Sequence, residues 1–243
     1  MDNEKRYTEG IHISKSRQGG RLDNFWYHYK WPVIGLAVFL LIVVICIAQS
    51  CSKEKEDVVL MYAGPCLMKP NELSQVAELL SGVMPYDFDE NGEKKVSLST
   101  YHIYSREQIE QIMRENPQAK IDTGTNSSEL QSYQTYIKTG ESAVYFLDPW
   151  LYESLRDDPN EPLQKLSYVL AETPDGALED GYGVRLGDTE LYKKYEILQV
   201  LPADTIICLS RPYAMGKSSK KEHYRHEAEM FATVVDGKVK EDA

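Results

Sequence analysis

Cysteine, histidine and phenylalanine are scarce, with four, five and five residues among 243. No C-x-x-C pair, no H-E-x-x-H and no G-x-S-x-G occurs, which leaves thiol oxidoreductase, zinc protease and serine hydrolase readings without a foothold. Cations are in the minority too, since 27 Lys/Arg face 38 Asp/Glu for a net charge of −11. The first 56 residues hold eight Lys/Arg and six Asp/Glu, so the remaining chain carries −13. That excess repels phosphates, which excludes sequence-independent nucleic-acid binding and disfavours an acidic substrate. Gly216-Lys217-Ser218 has the ending of a phosphate loop, but Arg211 stands where that loop needs its first glycine.

The next absence is local. Between Pro32 and Ala48 no residue is charged, and at 1.5 Å per residue a helix over 32–50 spans roughly 28–30 Å, the thickness of a bilayer core. Phe25, Trp26, Tyr27, Tyr29 and Trp31 precede it with Lys30 among them, a composition suited to the headgroup level. Lys15, Arg17, Arg21 and Lys30 flank one side against Lys53 and Lys55 on the other, which places the N-terminus in the cytoplasm. The expected order is a cytoplasmic basic and aromatic segment over 1–31, a transmembrane helix over 32–50, a linker over 51–56 and an extracytoplasmic α/β domain over 57–243. Two other readings of the apolar run stay open. One is a cleaved secretory signal, although its basic leader is long and no A-x-A site follows. The other is a lipoprotein signal, in which Ala48-Gln49-Ser50-Cys51 would make Cys51 the lipidated residue.

Beyond the helix, short apolar runs alternate with amphipathic stretches. Asp57–Ala63 reads as a buried strand closed by Gly64-Pro65, and Pro70–Met84 as a helix with Leu73, Val76, Leu80 and Val83 on one face. Val96–Tyr104 reads as a second strand, and Ser105 with Gln108 forms a capping box for a helix over 106–115. A helix over 127–139 stops at Gly140, a third strand covers 142–147, and Asp148-Pro149 opens a short helix. Strands near 183–186 and 205–210, a helix near 188–195 and a last helix over 219–234 complete the alternation. The pattern predicts an α/β sandwich with helices on both faces of a sheet.

Candidate sites are few. Asp87, Asp89, Asn91 and Gly92 copy the first half of a calcium loop, but Leu98 occupies the position of the bidentate glutamate, and a polar turn explains the same residues. His223 and His226 lie a helical turn apart among Glu222, Glu227 and Glu229 without a distant third ligand, as on a solvated helix face. No metal, no cofactor and no catalytic residue is assigned. Cys66 and Cys208 are the only cysteines of the outer part and are either disulfide-bonded or two buried thiols. Tyr145, Trp150 and Tyr182, with Asp148, cluster in sequence around the third strand and the loop after it, as a stacking surface for a ligand or as half-buried framework.

Gly140-Glu141-Ser142-Ala143-Val144-Tyr145-Phe146-Leu147-Asp148-Pro149, followed by Leu151, Leu155 and Pro162-Leu163, resembles a recurring stretch of type 2 extracytoplasmic solute-binding proteins. Gly181-Tyr182-Gly183-Val184-Arg185-Leu186 is similar to their hinge-region strand. The front end, Asp23–Trp31, resembles that of uncharacterised single-pass membrane proteins of Gram-positive gut bacteria. The resemblance implies one solute-binding-like lobe with an open face and no second lobe. It implies a non-enzymatic binding or interaction module tethered at the cell envelope, with the lipid bilayer, an envelope protein and a small solute as partners. Its surface would be Tyr145, Asp148, Trp150 and Tyr182. The alternative is a transporter accessory or sensor that holds a small solute such as a sugar in a half-site.

Overall fold

The computed structural model describes residues 19–51, 56–212 and 216–240. The chain divides into two compact units, Met1–Glu54 and Lys55–Ala243. Among its described residues the first holds a helix, α1 (Gly19–Cys51), whose window Tyr29–Cys46 has a mean hydropathy of 2.3 and buries nothing within the protein. By length and composition it is able to cross a membrane. The helix begins well before the expected residue 32, so Pro32 is an interior position. Its ring removes one N–H, and the carbonyl of residue 28 is left without its helical donor. Residues 1–18, residues 52–55 of the linker expected over 51–56, and the Cys51 side chain lie outside the described residues.

The second unit is built on a mixed five-stranded sheet. β1 (Val58–Gly64) leads through α2 (Pro70–Val83) to β2 (Val96–His102), and then through α3 (Arg106–Glu115) and α4 (Thr123–Thr139) to β3 (Val144–Leu147). After α5 (Pro149–Arg156) and α6 (Leu166–Val169) come β4 (Gly183–Arg185), α7 (Glu190–Lys194), β5 (Ile206–Leu209) and α8 (Lys221–Val234). The strand order is β2-β1-β3-β5-β4, with β1 parallel to both β2 and β3, and β5 antiparallel to both β3 and β4.

Every residue of β1 is buried, because this strand has neighbours on both edges and helices on both faces. Val58, Leu60 and Tyr62 join Val76 and Leu80 of α2 and Met230 and Phe231 of α8 in one cluster. Met61 and Ala63 point the other way, towards Tyr133 and Ile137 of α4 and Leu151 and Tyr152 of α5. The period-2 alternation of strands and the 3.6-residue stripe of helices meet in these two layers.

Local signals set most boundaries. Ser105 and Gln108 form the expected box: Gln108 N–H donates to Ser105 Oγ at 3.1 Å and Ser105 N–H to Gln108 Oε1 at 2.8 Å. Gly140 ends α4 in the left-handed region at φ 63°. The start of α4 comes four residues earlier than expected, since Asp122 Oδ1 accepts N–H donors from Gly124 at 2.9 Å and Thr125 at 3.1 Å.

Candidate binding crevice at the strand ends

The chain leaves β1 over one face through α2 and returns to β3 over the other through α4, so β1 and β3 flank a topological switch point. Crevices outside the carboxyl ends of strands at such points are where open α/β sheets hold ligands. Here the crevice is closely built. A Cβ on Gly64 would lie 2.7 Å from Tyr62 Oη and 3.2 Å from Asp148 Cβ, so glycine lets the end of β1 pass between them. Tyr62 Oη accepts the Cys66 N–H at 3.0 Å, and the Cys66 thiol donates to the Val200 carbonyl at 3.0 Å.

Asp148 stands at the centre with 8% of its surface exposed. Its N–H donates to the Ala63 carbonyl at 2.9 Å, tying the end of β3 to β1. Its Oδ1 accepts Trp150 N–H at 3.2 Å, capping α5, and its Oδ2 accepts Gln108 Nε2 at 3.0 Å. Burial lifts its carboxyl above the ordinary aspartate range, against the opposing pull of the Trp150 and Gln108 donors. His102 Nε2, at the end of β2, lies 3.0 Å from both the Pro65 carbonyl and Tyr104 Oη.

The register pairs Leu147 with Ile206 and Ile206 with Arg185, so the start of β5 and the end of β4 reach the same edge. There a groove of about 570 Å³ has a floor of Pro149, Tyr152, Leu178 and Ile206. Asp180 organises one wall: both its oxygens lie 2.9 Å from Tyr152 Oη, Oδ1 accepts Tyr182 N–H at 3.1 Å, and Oδ2 accepts Arg156 Nη1 at 3.3 Å. Glu153, Glu179, Asp204 and Arg185 complete the lining. No family model matches this chain, and neither a curated protein nor a solved structure matches it.

Of the surface residues expected from sequence, Asp148 lies in the crevice. Trp150, in the first turn of α5, and Tyr182 are partly buried against the second-face core, and Tyr182 lies under Lys165 Nζ at 5.5 Å. Tyr145 is a correction: it is fully buried and its hydroxyl donates to the Ser142 carbonyl at 2.9 Å. Its position on the central β3 points it into the layer under α4 and α5, so it belongs to the core. Of the two alternatives left open for Cys66 and Cys208, the disulfide is not formed: both thiols are free, Cys208 buried and Cys66 partly so. Cys66 packs on the α2 and α8 face and Cys208 on the other, and burial raises both thiols above their ordinary range.

The remaining candidates have structural duties. Oxygens of Asp57, Asp87 and Asp89 lie within 4.8 Å of one another, the one such acidic trio among the described residues. Asp57, however, already accepts N–H donors from Phe88 at 3.0 Å, Asp89 at 3.0 Å and Lys95 at 2.8 Å, so it orders the loop before β2. Leu98 is buried in the core. His226 stacks on Phe88 with centroids 4.5 Å apart, while His223 Nε2 lies 4.0 Å from Glu227 Oε1, so the two imidazoles serve different neighbours. Tyr62, Gln108, Arg185 and Asp204 carry the crevice without a sequence signal for it. Gln108 was marked only as a cap and Arg185 only as part of a strand; capping is also what aims the Gln108 amide at Asp148.

Proposed function

We propose that this chain is a non-enzymatic, membrane-tethered binding module, its N-terminus cytoplasmic and its second unit an extracytoplasmic lobe of the type 2 solute-binding kind. The reading rests on a polar crevice at the carboxyl ends of β1 and β3, in a chain that also carries a helix apolar enough to span a bilayer. The crevice offers positioned hydrogen-bonding groups on rigid elements, a binding arrangement. Among the described residues, the serine that contacts a buried carboxylate, Ser218 beside Glu227, is itself fully buried and has no access to a substrate.

Crosslinking of the full-length protein in its native membrane tests the reading. The expected partner profile is lost when Asp148→Ala and Trp150→Ala are combined while the protein remains folded. An unchanged profile would remove the crevice from partner binding. A second reading, an accessory or sensor that holds a small solute, is favoured by the groove beside Arg185, whose volume falls within the range of about 300–1,000 Å³ usual for small-molecule sites.

A further inference from the structure

The groove over β5 sorts its charges into spent and unspent groups. Arg156 is spent, on Asp157 at 3.0 Å and Asp180 at 3.3 Å. Asp180 is spent on that guanidinium, the Tyr152 hydroxyl and the Tyr182 N–H. Among the described residues, the side chains of Glu153, Glu179, Asp204 and Arg185 have no hydrogen-bond or ionic partner, yet all four line one cavity. Three free carboxylates and one free guanidinium leave the lining two charges negative. Beneath them the Tyr152 ring, Leu178 and Ile206 offer an apolar floor.

From this arrangement we infer that the groove binds a small solute with a carboxylate and an excess of primary amines on a short aliphatic stem, in chemical class a basic or diamino acid. The inference rests on the solute-holding reading above. The planar fork of Arg185 suits the carboxylate, which it meets with two parallel N–H donors. An ammonium group brings opposite charge to the exposed carboxylates of Glu153, Glu179 and Asp204 in that lining, and the methylene stem covers the floor. A neutral sugar would leave all four charges unmatched, and an acidic solute would meet three like charges.

Calorimetric titration of the full-length protein in detergent micelles, with L-lysine, Nε-acetyl-lysine, 1,5-diaminopentane and glucose, tests it. L-lysine is expected to bind, and removal of either its side-chain amine charge or its carboxylate to weaken binding roughly tenfold, the equivalent of about 1.4 kcal/mol. Arg185→Gln should abolish the preference for lysine over diaminopentane. The double variant Glu179→Gln/Asp204→Asn should lose lysine with an unchanged unfolding midpoint. Equal binding of lysine and acetyl-lysine, or lysine binding insensitive to both variants, would overturn the inference. Glucose binding that Asp148→Asn abolishes, without lysine binding, would also overturn it while preserving the solute-holding reading. Silence from all four probes would overturn it and leave the tethered module to its crosslinking test.

Discussion

The two ends of β3 each carry a buried carboxyl that accepts a backbone N–H, and their surroundings put them to different uses. At the carboxyl end, Asp148 retains 8% exposure and accepts from Trp150 and Gln108. At the amino end, Glu227 of α8 is fully buried, with Oε1 accepting Ala143 N–H at 2.9 Å and Oε2 accepting Ser218 Oγ at 2.7 Å. Burial pushes Glu227 up to about 7 and raises Asp148 as well. The Glu227 pocket is a sealed joint between α8, the 217–219 turn and β3, whereas Asp148 ties β3 to β1 and caps α5. Similar chemistry joins α8 to the sheet at one end and β3 to β1 at the other, where the proposed binding face lies.

Removing each acid separates the two roles. Glu227→Ala would leave a buried N–H and hydroxyl without an acceptor and a cavity among core residues, a loss of about 3–5 kcal/mol in chemical denaturation. A loss below 1 kcal/mol, by the same scale, would mean that the joint is dispensable. Glu227 also gives the fold a pH dependence. Its folded value lies above its ordinary 4.5, so its contribution is full below 4.5 and is lost as pH rises through about 7. The neighbouring His223 works in the opposite sense, because burial lowers it from 6.5 and its contribution is lost as pH falls below that value. The unfolding midpoint of Glu227→Gln should therefore decline less than the parent's between pH 5 and 7. Equal slopes would assign the dependence to other groups.

Gly64→Ala strikes the crevice through its backbone. The added methyl must displace the Tyr62 hydroxyl or the β carbon of Asp148, at a cost of about 1–3 kcal/mol by urea unfolding. Ser105→Ala has a smaller expected effect on stability, about 1 kcal/mol, because it removes one helix cap. Its sharper readout is Asp148: once Gln108 loses its anchor, the carboxyl should titrate higher still by carbon-13 NMR. An unchanged titration would show that Gln108 holds its place without the box.

The capping box at Ser105 and Gln108, the Gly140 stop and the Asp148 cap were all legible in sequence, because each depends on residues a few positions apart. The alternation of strands and helices was legible for the same reason. Which strand lies beside which was not, and β5 entered the sheet antiparallel between β3 and β4 through contacts that span tens of residues. Tyr145 shows the cost of that gap. On a strand with both faces covered, an aromatic residue carries no mark that separates core from surface. Asp204 had no signal either, since its place at the crevice depends on Ile206 pairing with both Leu147 and Arg185.

β3 has only four residues, yet its partners on the two sides are centred some eighty residues before it and sixty after it. The β1-α2-β2 unit closes a short loop, while the middle of the sheet must await the arrival of β5 from the far end of the chain. Closure of long loops precedes the contacts that reward it, so such a topology folds slowly for its size. During synthesis the far edge of β3 therefore stands open until residues beyond 206 emerge, and the face proposed for binding is the last part of the sheet to be completed.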